Sequence, residues 1–151
     1  MEAAIRTAYF KLTGNEMVNF QVKEVRGFNE IKEMKLIIND IEIGVAVVNG
    51  LGNVETLLKQ LDEGRNDLHF IEVMTCPGGC IAGGGQYIGA NTKAISARMK
   101  SLYTIDKKET LKVSHKNPEI IELYDNYLGK PLGHKSHELL HTNYAKRDVM
   151  I

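Results

Sequence analysis

Apolar residues recur at helical spacing at the start of the chain, at Ala4, Ile5, Ala8, Tyr9 and Leu12, and Gly14 follows. This predicts a helix over residues 2–13. Ala3 and Phe10 widen its apolar face, so the helix either packs on more than one side or sets its start against a core. Residues 22–26 read as a strand, and residues 34–38 and 41–48 as two strands joined by a tight Asn39-Asp40 turn. The run Val45-Ala46-Val47-Val48 is continuous rather than alternating, the pattern of a strand covered on both faces. Asn49-Gly50-Leu51-Gly52-Asn53 then leads into a helix over residues 54–62, with Asn53 as its N-cap and Gly64 closing it. A strand over residues 69–74 completes a βαβ unit. Further on, Asn91 or Thr92 caps a helix running to Tyr103, in which Met99 fills core. Asn117-Pro118 opens another helix that Gly129 ends, and a last one runs from Ser136 through Tyr144. The expected class is α/β: a short sheet with flanking helices and a helical C-terminal tail.

Composition narrows the picture only slightly. At 151 residues and 43% hydrophobic the chain can bury one core of its own. Lys+Arg and Asp+Glu both number 19, which favours neither nucleic acid nor an acidic membrane surface as a partner. No apolar run approaches the roughly 20 residues of a membrane span and no charged-then-apolar leader is present, so the expectation is a cytoplasmic protein. A lone Gly50-x-Gly52 lacks the rest of a nucleotide-binding fingerprint and reads as tight packing.

The chemistry concentrates between His69 and Gln86, which hold both cysteines and five of the 14 glycines. Phe70, Ile71, Val73 and Met74 form a short buried strand that delivers Cys76 and Cys80 into a loop, at the kind of strand edge where α/β folds place ligands. The spacing is Cys76-Pro77-Gly78-Gly79-Cys80. Glycine permits positive φ and close approach of the backbone to a bulky inorganic group, and successive N–H groups in such a turn make an anion-accepting nest. From spacing alone, iron–sulfur ligation, a zinc half-site, a disulfide and two structural thiols all stay open. A disulfide does not suit a reducing compartment, and no second Cys pair follows to complete a zinc site, the His137–His141 pair making a separate case.

The whole string Glu72-Val73-Met74-Thr75-Cys76-Pro77-Gly78-Gly79-Cys80-Ile81-Ala82-Gly83-Gly84-Gly85-Gln86 closely resembles the third signature motif of iron-only (FeFe) hydrogenases. The resemblance extends through Val45-Ala46-Val47-Val48 before Gly50-Leu51-Gly52-Asn53, Ser114-His115 before Asn117-Pro118, and His137-Glu138-Leu139-Leu140-His141-Thr142 before Tyr144. It implies an H-cluster, a 4Fe-4S cubane joined to a two-iron subsite. By position Cys76 resembles a cubane ligand, Cys80 the ligand that bridges to the two-iron subsite, and Met74 the methionine near that subsite. The resemblance implies reversible reduction of protons to H2 with ferredoxin-like electron carriers. It also implies an upstream lobe, or a separate chain, that carries the two other cubane cysteines, the proton-relay cysteine and the cyanide-binding lysine, none of which stands in these residues. Residues 1–103 then correspond to the C-terminal part of the large-subunit catalytic domain and 104–151 to a small-subunit-like tail. The chain alone is expected to be inactive. Three positions depart from the usual pattern: Asn49 and Asn143 where histidine is common, and Tyr87 where proline is usual.

Two other readings compete. Hydrogenase-like iron–sulfur assembly or regulatory factors share the cysteine element without making H2, and a catalytically silent subunit would bind a partner only. His134, His137 and His141 make the best separate metal case, with His137 and His141 at i, i+4, but the residues after His137 are Glu-Leu-Leu, without a metalloprotease pattern. The expectation there is structural hydrogen bonding.

Overall fold

The computed structural model describes residues 1–17, 23–76, 78–88 and 91–145. The chain divides into two compact units, Met1–Lys112 and Val113–Ile151.

The first unit is built on a three-stranded sheet in the order β1 (Ile31–Ile38), β2 (Ile41–Asn49), β3 (Phe70–Met74). β1 and β2 form the expected antiparallel hairpin, with Asn39 and Asp40 both at positive φ (50° and 63°), as a tight primed turn demands. β1 begins at Ile31 because that residue packs in the cluster around Val48, its cross-strand partner. β3 lies parallel to β2, with Glu72 beside Val47 and Met74 beside Asn49. β2 is covered on both faces, as its unbroken apolar run predicted. Val45 and Val47 face Ile5 of α1 (Glu2–Thr13) and Val25, whereas Ala46 and Val48 face Leu57 of α2 (Leu51–Asp62).

Three local expectations change. The strand expected over residues 22–26 is a 3₁₀ turn, Lys23–Val25, with residue 22 outside the described residues. One side chain, Val25, is buried there, and Gly27 at φ 97° ends the segment, so nothing favours extended pairing. α2 starts at Leu51 rather than Val54, because Gly50 at φ 85° donates its N–H to the Met74 carbonyl (2.8 Å) and turns the chain at once. Asn53 is therefore not the N-cap; its amide donates to the Asn49 carbonyl at 2.7 Å. α3 (Thr92–Lys108) is capped by Asn91, which accepts the Ala94 N–H at 3.0 Å, and it runs past Tyr103 because Asp106 pairs with Arg26.

In the second unit, α4 (Pro118–Leu123) is capped by Asn117, and the chain continues as a π turn, Tyr124–Leu128, closed by Gly129. α5 spans His134–Leu140, starting before Ser136 and stopping short of Tyr144. Ser136 is buried and its hydroxyl donates to the carbonyls of Lys130 and Gly133, both at 3.0 Å, while His141 is already extended and the following Thr142-Asn143 are weak helix formers.

Candidate functional site

β3 ends at Met74, level with Asn49 at the end of β2, and the chain enters the cysteine loop. The Gly79 N–H donates to the Cys76 carbonyl (3.0 Å), and Cys80–Ala82 forms a 3₁₀ turn. Gly79 sits at φ 80° and ψ −164°, a region close to glycine-only, and a Cβ on it would lie 2.9 Å from the Met74 sulfur. The backbone conformation therefore requires glycine there, and a side chain would also displace the Met74 sulfur. A Cβ on Gly83 would likewise come within 3.1 Å of Cys76 Sγ. Arg98 of α3 donates to the Ile81 carbonyl at 3.0 Å and holds the turn from behind. The expected nest is thus partly used up, since the Gly79 donor closes the turn itself. Cys76 is half-buried, Cys80 is exposed, and both are free thiols.

Cys80 opens onto a cavity of about 290 Å³ within the first unit. Its floor is the α1-facing side of the sheet, with Lys32, Val47, Glu72, Asn49 and Met74; Gly79 and Ile81 of the loop and Met99, Leu102 and Tyr103 of α3 complete the lining. Met99, expected as core filling, is a wall residue of this cavity. Cys76 is not among the described residues that line it.

Several polar groups around the cavity are buried. Asn49 is 2% exposed; its amide donates to the Asn29 carbonyl (3.3 Å), and its Oδ1 has no partner. Glu72 Oε1 accepts from the Met1 ammonium at 2.9 Å, whereas its Oε2 is buried without a partner. Lys32 is 8% exposed, with Nζ donating to the Gly27 carbonyl at 3.2 Å. Burial holds the Lys32 ammonium below its ordinary pKa, with the Glu72 charge opposing. Arg26 donates to both Glu2 oxygens and to Asp106 (2.7 Å) and lies over the Tyr103 ring, 4.6 Å from its centre. The hydrogen bond to Glu2 is the chief cause that raises the Arg26 pKa, and the one from Arg26 lowers that of Asp106.

The loop brings Cys76, Cys80 and Met74 into one neighbourhood. Lys32, Asn49, Glu72 and Arg98 belong to it too, although sequence reading assigned none of them to the site. Period-two alternation was the available signal for Lys32 and Glu72, which fall on the same sheet face as Val47. The histidines lie elsewhere: the His137 and His141 rings stack with centroids 4.0 Å apart, and His134 Nδ1 is 3.8 Å from Glu138. Among the described residues no group of three or more His, Cys, Asp or Glu converges on one point. No helix among them is long and apolar enough to cross a membrane.

Comparison with known proteins gives this architecture its family. The model described as "Iron only hydrogenase large subunit, C-terminal domain" matches residues 1–84, and that described as "Iron hydrogenase small subunit" matches residues 92–147. The chain belongs to the iron-only hydrogenase family. It is 47% identical, over 97% of its length, to the NADP-reducing hydrogenase subunit HndD of Solidesulfovibrio fructosivorans, and spans 25% of that protein. A single-residue variant of the [FeFe]-hydrogenase HydA1 of Chlamydomonas reinhardtii superposes with a TM-score of 0.75 at 39% identity, over 94% of this chain and 43% of that one. A weaker likeness, 32% identity over 66% of this chain and 24% of the other, extends to the cytosolic Fe-S cluster assembly factor narfl of Danio rerio. The fold is thus a partial hydrogenase lobe, spanning a quarter of the HndD length.

Proposed function

We infer that this chain is a cluster-holding part of an iron-only hydrogenase that interconverts protons and H2 in exchange with a ferredoxin-like electron carrier. The observation that carries the reading is the setting of Cys80, which borders the cavity where the two-glycine turn meets Met74 and Asn49. The residues present suit a thiolate-held cubane: soft sulfur donors, a loop whose Gly79 and Gly83 run close to Met74 and Cys76, and largely apolar walls. Two thiols are half of a four-thiolate set.

In this reading Cys76 and Cys80 would hold cubane iron, Cys80 would also serve the two-iron subsite, and Met74 would pack near that subsite. When bound, the H-cluster supplies the redox-active iron at which protons and electrons combine. The chain's own part is to bind and to exclude water. The turn carries Cys80 to the cavity, Arg98 of α3 holds the turn, and Val47, Met74, Ile81 and Leu102 give the cavity apolar walls. The other two thiolates come from an upstream lobe or a separate chain. We assign residues 1–103 to the large-subunit part and 104–151 to the small-subunit-like tail, in a cytoplasmic setting.

The test is co-expression with an upstream hydrogenase lobe, anaerobic reconstitution, and measurement of iron, EPR and H2. The chain without that lobe is expected to hold no stable four-iron cluster. In the complex, Cys80→Ser should lose the two-iron subsite and reduce H2 evolution to background, since a hydroxyl is a far poorer ligand for iron than a thiolate. Cys76→Ser should chiefly reduce cubane iron. Undiminished H2 evolution from either variant would overturn the assignment. The likeness to assembly factors supports a second reading, a non-catalytic iron–sulfur protein. A loaded cubane with no two-iron subsite and no H2 would favour it.

A further inference from the structure

The cavity beside Cys80 has a charged floor that thiolate ligation does not require. Strand register sets Lys32 of β1 and Glu72 of β3 on either side of Val47 in β2, and all three line the cavity with Cys80. Neighbouring strands lie about 4.8 Å apart, so the two charges are roughly two strand spacings from each other at their backbones. Lys32 feels Glu72 as a charge, while its hydrogen bond goes to the Gly27 carbonyl. Glu72 meets the Met1 ammonium through Oε1, and its Oε2 is buried with no partner. Neither side chain is therefore neutralised by direct contact with the other: Lys32, 8% exposed, is the buried charge, which is retained at a cost, and Glu72, partly exposed, is balanced on one oxygen by the Met1 ammonium.

A cubane with four thiolates is anionic and gains a further negative charge on reduction, so fixed charges in an apolar cavity bias that step. Resting on the hydrogenase reading above, we propose that Lys32 and Glu72 are opposed charges that set the reduction potential of the cluster held at Cys80. Lys32 favours the reduced cluster and Glu72 the oxidised one. The step adds one electron, delivered by the carrier, and asks no proton or bond change of either side chain. Both are positioning charges, not ligands.

The experiment is an EPR-monitored redox titration of the four-iron cluster in the reconstituted complex of this chain with its upstream lobe, without reference to turnover. At the parent's midpoint potential, Lys32→Met should lower the reduced-to-oxidised ratio about tenfold, equivalent to ~59 mV for a one-electron couple. Lys32→Arg, which keeps the charge, should stay within about twofold of the parent, and Glu72→Gln should raise the ratio severalfold. The opposite signs separate charge from packing damage, and Glu72→Gln tests the idea by itself if Lys32→Met does not fold. Shifts of the same sign in Lys32→Met and Glu72→Gln, or ratios within about twofold of the parent in both, would overturn the inference while leaving the function standing. A parent complex with no cluster signal would overturn the proposed function and this inference together.

Discussion

The two faces of the sheet differ in what they bury, one purely apolar and the other mixed with polar groups beside a cavity. Toward α2, Ala46, Val48 and Leu57 are at most 1% exposed, and Ile31, Val54, Leu68 and Ile71 pack around them with no polar group among them. Toward α1 and α3, the same strand offers Val45 and Val47 to a cluster with Ile5 and Val25, but next to it lie a cavity, a buried lysine, a buried amide and a buried carboxylate oxygen. A close-packed apolar interior contributes stability with no chemistry. Buried polar groups beside an open cavity cost stability and persist where a site uses them. One face holds the fold, and the other presents the loop.

Neighbouring residues on opposite faces provide the most direct way to break that contrast. Val48 is 0% and Val47 1% exposed, so exposure alone predicts equal costs for truncation. Val48→Ala should destabilise by about 2–3 kcal/mol, the transfer of two methyl carbons plus the void left in a closed cluster. Val47→Ala should cost only about 1–2 kcal/mol, because its atoms already border a cavity and have fewer neighbours to lose. Urea denaturation of the two variants measures this, and equal midpoints would show that the cavity face is packed as tightly as the other.

Gly79 is where the cavity face meets the cysteine loop. Gly79→Ala sets a side chain in a glycine-only backbone region, a cost on the order of 1–3 kcal/mol, and drives a methyl against Met74. The expected outcome is modest destabilisation with a much larger loss of bound iron in the reconstituted complex, because alanine resists the backbone conformation that carries Cys80 to the cavity and the methyl displaces Met74. Gly52→Ala is the control: it lies in α2 with open space around it and should leave iron content unchanged. If both variants bind iron like the parent, the loop's shape is not what positions the thiols.

The scaffold was easier to read from the sequence than the site. The Asn39-Asp40 turn fixes the β1–β2 register, and the unbroken run at Val45–Val48 announced a strand buried on both sides. Cys76, Cys80 and Met74 were legible because a strand ending in a glycine turn is a local pattern. Lys32 and Glu72 were not, because their placement on either side of Val47 depends on the register of β1 and β3 against β2, which the predicted hairpin and βαβ unit leave open for residues so far apart in the chain. The 3₁₀ turn at Lys23–Val25 and the extension of α3 escaped for a similar reason, since one follows from a single buried valine and the other from the Arg26–Asp106 contact. Asn53 misled because a good capping residue also serves inside a first turn, when glycine has already turned the chain.

The smallest effect concerns the ion networks that flank the two faces. Arg65, beyond α2, pairs with Glu33 (2.6 Å) and Asp67 (2.7 Å), and Arg26, on the cavity side, joins Glu2 and Asp106, both networks being partly open to solvent. The hydrogen bond from Arg65 holds the Asp67 carboxyl down at about 2, against an ordinary 3.8. A carboxyl depressed in the folded state stabilises above its unfolded pKa, and that contribution disappears as pH falls through the folded value. Asp67 should therefore add a shallow acid limb between about pH 4 and pH 2, which Asp67→Asn removes. Because the pair is exposed, the limb should weaken further in added salt. Asp106 is also depressed, by Arg26, and its side chain is about as exposed as that of Asp67 (32% against 33%), so Asp106→Asn should remove a limb of similar salt sensitivity. Thermal melts from pH 2 to pH 5 at low and high salt measure both. A limb that added salt leaves unchanged at one site only would mean that its ion pair is closed to solvent where the other is open.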